Sequence, residues 1–115
     1  MNELDLLVAI TADKVWSRKQ GELISKRIAK HFKNIPKTQY WISINYFEPE
    51  KGYNIFFNEK RLRTFQRSIP LARYPNLSFS KILSILHEVR KSYNLTFEYR
   101  NFTTEEKKTL YKELG

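Results

Sequence analysis

Cysteine is absent from this 115-residue chain, which excludes disulfides, thiolate metal sites and cysteine nucleophiles. Glycine is scarce, with three residues. That is too few for a glycine-rich phosphate loop or a dinucleotide fingerprint. With only four prolines beside them, the composition also argues against a disordered or low-complexity chain. Long hydrophobic runs are missing too. The longest near the start, Leu6 to Ile10, is far too short to span a bilayer. It follows Glu3 and Asp5 rather than the basic stretch that opens an export signal. The expectation is a soluble, cytoplasmic protein with no membrane partner.

Chemistry-bearing clusters are equally sparse. His31 and His87 fall on different predicted helices, and neither has a second histidine at ligand spacing. Glu48 and Glu50 flank Pro49 in a turn, while Asp5, Asp13, Glu22 and Glu98 are scattered. A two-metal nuclease needs several inward acids held close together. No catalytic residue, metal site or cofactor is expected, and a metal-dependent nuclease is the last-ranked function.

The most informative absence is of acids. From Lys60 no Asp or Glu occurs until Glu88, and that gap holds Lys60, Arg61, Arg63, Arg67 and Arg73. Leu62, Phe65, Ile69, Leu71 and Tyr74 are interleaved with them. Cations beside apolar and aromatic surface suit a phosphate backbone with unstacked bases, and would also suit an acidic protein. The net charge of +9 attracts polyanions over long range.

What is present suffices for one domain, residues 1–115. Hydrophobic residues make up 41% of the chain, enough for an ordinary core. Leu4 to Thr11 fits strand alternation and helical spacing alike. A strand is expected there, because Ser17 with Gln20 three residues later reads as a capping box. A helix then runs to about Lys33, burying Leu23, Ile24, Ile28 and Phe32 and turning Lys26, Lys30 and Lys33 outward. Tyr40–Phe47 and Tyr53–Asn58 alternate around a Glu48–Gly52 turn, a hairpin. Lys60–Asn76 has no clean period; a loop of that length is expected either to be functional or to hide a short strand, for which Leu62 to Phe65 is the candidate extension. Ser78 or Ser80 caps a helix to about Tyr93. Leu95–Arg100 is a strand. Thr103 and Glu106 form a second capping box before a terminal helix with Leu110, Tyr111 and Leu114 on its apolar side.

This order predicts an α+β, ferredoxin-like fold: βαββαβ plus a C-terminal helix, with the helices on one face of an antiparallel sheet. The alternative is winged-helix-like, with Leu4–Trp16 as a first helix and Gln20–Phe32 as the recognition helix. In the first arrangement Leu6, Val8, Ile10, Ile42, Ile44, Ile55, Phe57, Leu95 and Phe97 lie under the helices. Trp41, Ser43, Asn45, Phe47, Asn54, Phe56, Asn58, Glu98 and Arg100 then face outward. The terminal helix, or a homodimer partner, is the expected cover for that face unless it is a ligand platform. Lys51-Gly52-Tyr53-Asn54-Ile55-Phe56-Phe57 opens in a way that is similar to the basic-Gly-aromatic start of the RNA recognition motif. It departs where Ile55 and Asn58 replace aromatics, and no companion motif precedes it. The resemblance implies bases stacked on a sheet face.

The function expected is a small basic nucleic-acid-binding protein. Lys60, Arg61, Arg63, Arg67 and Arg73 would contact phosphates, with Lys26, Lys30 and Lys33 as a flank. Trp41, Phe47, Phe56 and Phe65 would be stacking surfaces. The rival is a phage- or plasmid-type inhibitor or adaptor docking on an acidic protein, since the arginine fork matches carboxylate and phosphate alike.

Overall fold

The computed structural model describes residues 3–115, with side chains from Ala12 onward. Its elements are α1 (Glu3–His31), β1 (Thr38–Phe47), β2 (Gly52–Arg61), β3 (Arg67–Tyr74), α2 (Phe79–Ser92), β4 (Thr96–Arg100) and α3 (Thr104–Leu114). The α+β class stands, as a four-stranded mixed sheet with three helices. The ferredoxin-like order does not: the strands lie β3-β2-β1-β4. β1, β2 and β3 form an antiparallel meander, and β4 runs parallel to β1.

The largest correction is at the start. Leu4–Thr11 belongs to α1 rather than to a strand, so the helical spacing of that segment prevails over its alternation. The side chains of Leu6, Val8 and Ile10 lie outside the described residues. Ser17 is not a cap but a buried residue inside α1, and the break that the winged-helix alternative needs between Leu4–Trp16 and Gln20–Phe32 falls within the same helix. Gly21 is there for a packing reason. A Cβ on it would stand 2.3 Å from Glu88 Cβ and 3.2 Å from the Ile85 carbonyl oxygen. The missing side chain lets α1 and α2 touch.

Ile24 and Ile28 of α1 are fully buried, as expected, while Leu23 turns outward. They join Ile82, Ile85, Leu86 and Val89 of α2 over Ile42, Ile44, Ile55 and Phe57 of the sheet. α1 ends at His31, two residues before the expected Lys33. Asn34, at φ 50°, turns the chain away before Pro36. Ser78 is the cap of α2 and accepts from Lys81 N. Thr103 and Glu106 make the reciprocal capping box foreseen for α3.

α3 does not fold over the outward sheet face. Leu110 and Leu114 are buried on the helix side, where Arg90 Nε donates to the Leu114 carbonyl at 3.1 Å. The same guanidinium lies 3.8 Å over the Phe97 ring. All three helices therefore cover one face of the sheet.

The strand hidden in Lys60–Asn76 is Arg67–Tyr74, and Leu62 to Phe65 is the loop before it. Pro70 is tolerated because β3 is an edge strand, and a bulge at Ile55/Phe56 adjusts the pairing. Gly52 is required where β3 ends: a Cβ there would meet the Tyr74 carbonyl oxygen at 1.9 Å.

Two outcomes check this packing. Gly21→Ala should gain about 1 kcal/mol of helix propensity but lose about 1–3 kcal/mol to overpacking. Net destabilisation in urea unfolding is expected, and stabilisation would contradict the α1–α2 contact. The buried tyrosines set a pH limit. Burial pushes Tyr53, Tyr74 and Tyr99 each up to about 12 from an ordinary 10. In the unfolded chain these phenols ionise near 10. Their contribution to stability is thus complete below pH 10 and is lost between pH 10 and pH 12, on the order of 2 kcal/mol per group. An alkaline melt should show stability falling steeply across that window.

Candidate functional site

A strand sends alternate side chains to opposite faces, so burying one face of the sheet fixes the other. Three rows cross the outward face. The first holds Arg73, Asn54, Asn45 and Arg100, from β3, β2, β1 and β4 in turn. The second holds Pro70, Phe56, Ser43 and Glu98, and the third Ser68, Asn58, Trp41 and Thr96.

The third row anchors a polar network. Asn58 is only 2% exposed although it points away from the helices. Its Nδ2 donates to Ser43 Oγ at 3.1 Å, and its Oδ1 accepts from Ser68 Oγ at 2.6 Å and Gln66 Nε2 at 3.4 Å. Gln66 belongs to the β2–β3 loop, so the network ties that loop to the sheet. Asn45 differs: its Oδ1 is buried and has no hydrogen-bond partner among the described residues.

Beyond the third row the β2–β3 hairpin ends in a tip, residues 62–66. Arg63 takes a left-handed conformation at φ 63°, and Thr64 Oγ1 donates to the Arg61 carbonyl at 2.9 Å. Phe65 is 97% exposed and Leu62 75% exposed. A shallow hollow of about 250 Å³ joins the tip to Lys37, lined by Lys37, Gln39, Lys60, Arg61, Leu62 and Arg63.

The arginines expected to act together are divided. Arg73 sits at the opposite end of β3 from the tip, and its Nε donates to Glu50 Oε2 at 2.9 Å in a two-point pair. Arg67 Nη1 lies 3.5 Å from Glu59 Oε1. Lys60 Nζ donates to the Thr64 carbonyl at 3.0 Å. Among the described residues, Lys60, Arg61 and Arg63 have no carboxylate partner. The structure brings these three together with Phe65. Lys26, Lys30 and Lys33 are exposed but belong to the helix layer, with the sheet between them and the outward face. Of α1, only the C-terminal end nears the tip end; just past it, Phe32 packs 4.7 Å from the Tyr40 ring.

The rings also separate into two sets. The helix side holds two linked aromatic groups, one with Phe32, Tyr40 and Phe57 and one with Tyr53, Tyr99 and Phe102. Trp41, Phe47, Phe56 and Phe65 pair with no other ring among the described residues. Trp41 and Phe56 are half-buried on the outward face, and Phe47 is exposed at its far end.

Lys37 and Gln66 were not among the residues expected to form the site. Lys37 was legible in principle: the hairpin register pairs Thr38 with Arg61, which sets Lys37 beside the tip. The carboxylates offer little for metal chemistry. Glu50 is held by Arg73, and Glu48 accepts from Tyr46, which raises that phenol's pKa. Among the described residues no three His, Asp or Glu side chains come together as a metal site, and no helix is long and apolar enough to cross a membrane. No protein-family model, curated protein or solved structure matches the chain.

Replacing Asn58 with Ala removes the anchor of the loop and leaves Ser43 and Ser68 short of a partner. A loss of about 1–3 kcal/mol is expected. Trypsin should then cut faster at Arg61 and Arg63; an unchanged cleavage rate would show that the network does not hold the tip.

Proposed function

We propose that the chain binds nucleic acid, with the β2–β3 tip as its point of attachment. The observation that carries this reading is the tip itself. Phe65 stands almost wholly in solvent beside Arg61 and Arg63, whose charges no carboxylate of the described residues offsets. Exposing a whole phenylalanine costs burial worth about 1.5–3 kcal/mol, so an aromatic held out among cations calls for a partner with apolar surface and negative charge. Nucleic acid supplies both, in base faces and phosphates. Arg67 and Arg73 act here as sheet residues, held by Glu59 and Glu50. Lys37 and Lys60 extend the cationic end in their place. The charge balance and the absence of cysteine fit a cytoplasmic setting.

A second reading draws on the same tip. Leu62 and Phe65 both stand exposed on the tip, and an acidic protein with a hydrophobic recess would accept such apolar side chains. Capture that survives nuclease treatment would favour that partner.

The direct test is a gel-shift series with RNA, single-stranded DNA and duplex DNA at two salt concentrations. Binding should weaken steeply with salt. The double substitution Arg61→Ala, Arg63→Ala, at exposed positions, should weaken binding about tenfold or more. It should also reduce the log–log salt slope by about 1.4 to 1.8, two phosphates' worth. No binding of any nucleic acid at low salt would refute the proposal.

A further inference from the structure

We infer that the nucleic acid is single-stranded, and that it leaves the tip to lie across the outward sheet face with its bases on Trp41 and Phe56. This rests on the nucleic-acid reading above and narrows it. Four strands spaced about 4.8 Å apart span roughly 14 Å between the outer backbones, before side chains are added. The major groove of a duplex is about 12 Å wide and admits a two-stranded ribbon at most. The tip could enter such a groove, but the sheet face cannot follow. On a duplex, therefore, Trp41, Phe56 and the amide row would have no contact.

The face suits separated bases. Ser43 stands opposite Phe56 and Asn58 opposite Trp41, so the two rings are diagonal neighbours, about 7–8 Å apart at the backbone. They do not pair with each other or with another ring. Each can take one base, and a stacked base of this kind is worth about five- to a hundredfold in affinity.

The row beyond them offers hydrogen bonds rather than charge. Arg73 and Arg100 at its ends are held by Glu50 and Glu98, the latter accepting from Arg100 Nε at 2.8 Å. Between them lie the amides of Asn54 and Asn45. An amide presents both a donor and an acceptor, which matches a base edge better than a phosphate. The Asn45 Oδ1 is itself buried, so Asn54 is the amide of this row that a base edge would meet. Asn58, by contrast, spends its amide on Ser43 and Ser68 and is a support for the loop. Phosphate contacts at one end and base contacts on the face describe an unpaired strand.

The test uses the full chain and fluorescence anisotropy with labelled oligo-dT, oligo-U and a mixed-sequence DNA duplex. Trp41→Leu and Phe56→Leu keep apolar bulk while removing the stacking surface, and their melting curves are compared with the parent's. Single strands should bind at least tenfold tighter than the duplex. Each leucine variant should lose about five- to a hundredfold on single strands and keep any residual duplex affinity. A Trp16→Phe chain, in which Trp41 alone reports, should show tryptophan quenching by oligo-dT or oligo-U and none by duplex. Duplex binding as tight as single-strand binding overturns this inference while leaving the nucleic-acid reading intact. So does full single-strand affinity in both leucine variants. Failure of every oligonucleotide to bind at low salt overturns the broader reading itself. The dT and U arms decide whether DNA or RNA is preferred.

Discussion

Burial of a single sheet face is the constraint from which the rest follows. Ile42, Ile44, Ile55 and Phe57 are sealed beneath Ile24, Ile28, Ile82, Ile85, Leu86 and Val89. Each such side chain contributes about 1.5–3 kcal/mol. Because side chains alternate strictly along a strand, a slip by one residue would turn this set into water. The tight turn through Lys51, at φ 48°, holds the register. With the register fixed, Trp41, Asn45, Asn54 and Phe56 have no choice of side. The polar face is thus a by-product of the core, maintained by interactions it does not itself make.

A second regularity governs charge. Asp13 of α1 meets Lys81 at the start of α2, and Phe32 meets Tyr93 just past its end, so these helices run in the same direction. α3 follows β4 and runs the same way. Their negatively polarised C-terminal ends gather at the end of the molecule that carries the tip. Lys30, His31, Arg90, Lys91 and Lys112 occupy those last turns. Glu48, Glu50, Glu105 and Glu106 gather at the other end. The cations of the tip extend a polarity that the helices already impose.

Short-range features of this fold could be read from the residues alone. The β1–β2 hairpin follows from alternation around a turn, and α2 and α3 follow from their caps, all decided within a few residues. The start of α1 could not be read this way. Leu4–Thr11 satisfies two periods, and what favours the helix is continuity into a segment packed on α2 across Gly21. β3 escaped for the opposite reason: Pro70 and the bulge spoil its alternation, and only its partner β2 makes it a strand. The parallel pairing of β4 with β1 joins segments more than fifty residues apart, beyond the reach of any local pattern. At the site, the cationic stretch and the outward rings were legible. The neutralisation of Arg67 and Arg73 was not, because Glu59 and Glu50 arrive from a neighbouring strand and a distant turn. Glu50 and Arg73 are 23 positions apart.

Pro70 has a consequence for how copies of this chain meet. β3 borders the sheet, and an unbroken border of free N–H and C=O groups would invite another chain to add itself as a further strand. Proline lacks the N–H, the neighbouring bulge distorts the line, and Arg67 and Arg73 add charge along the same border. Crowded molecules are thereby discouraged from zipping side by side along the β3 border.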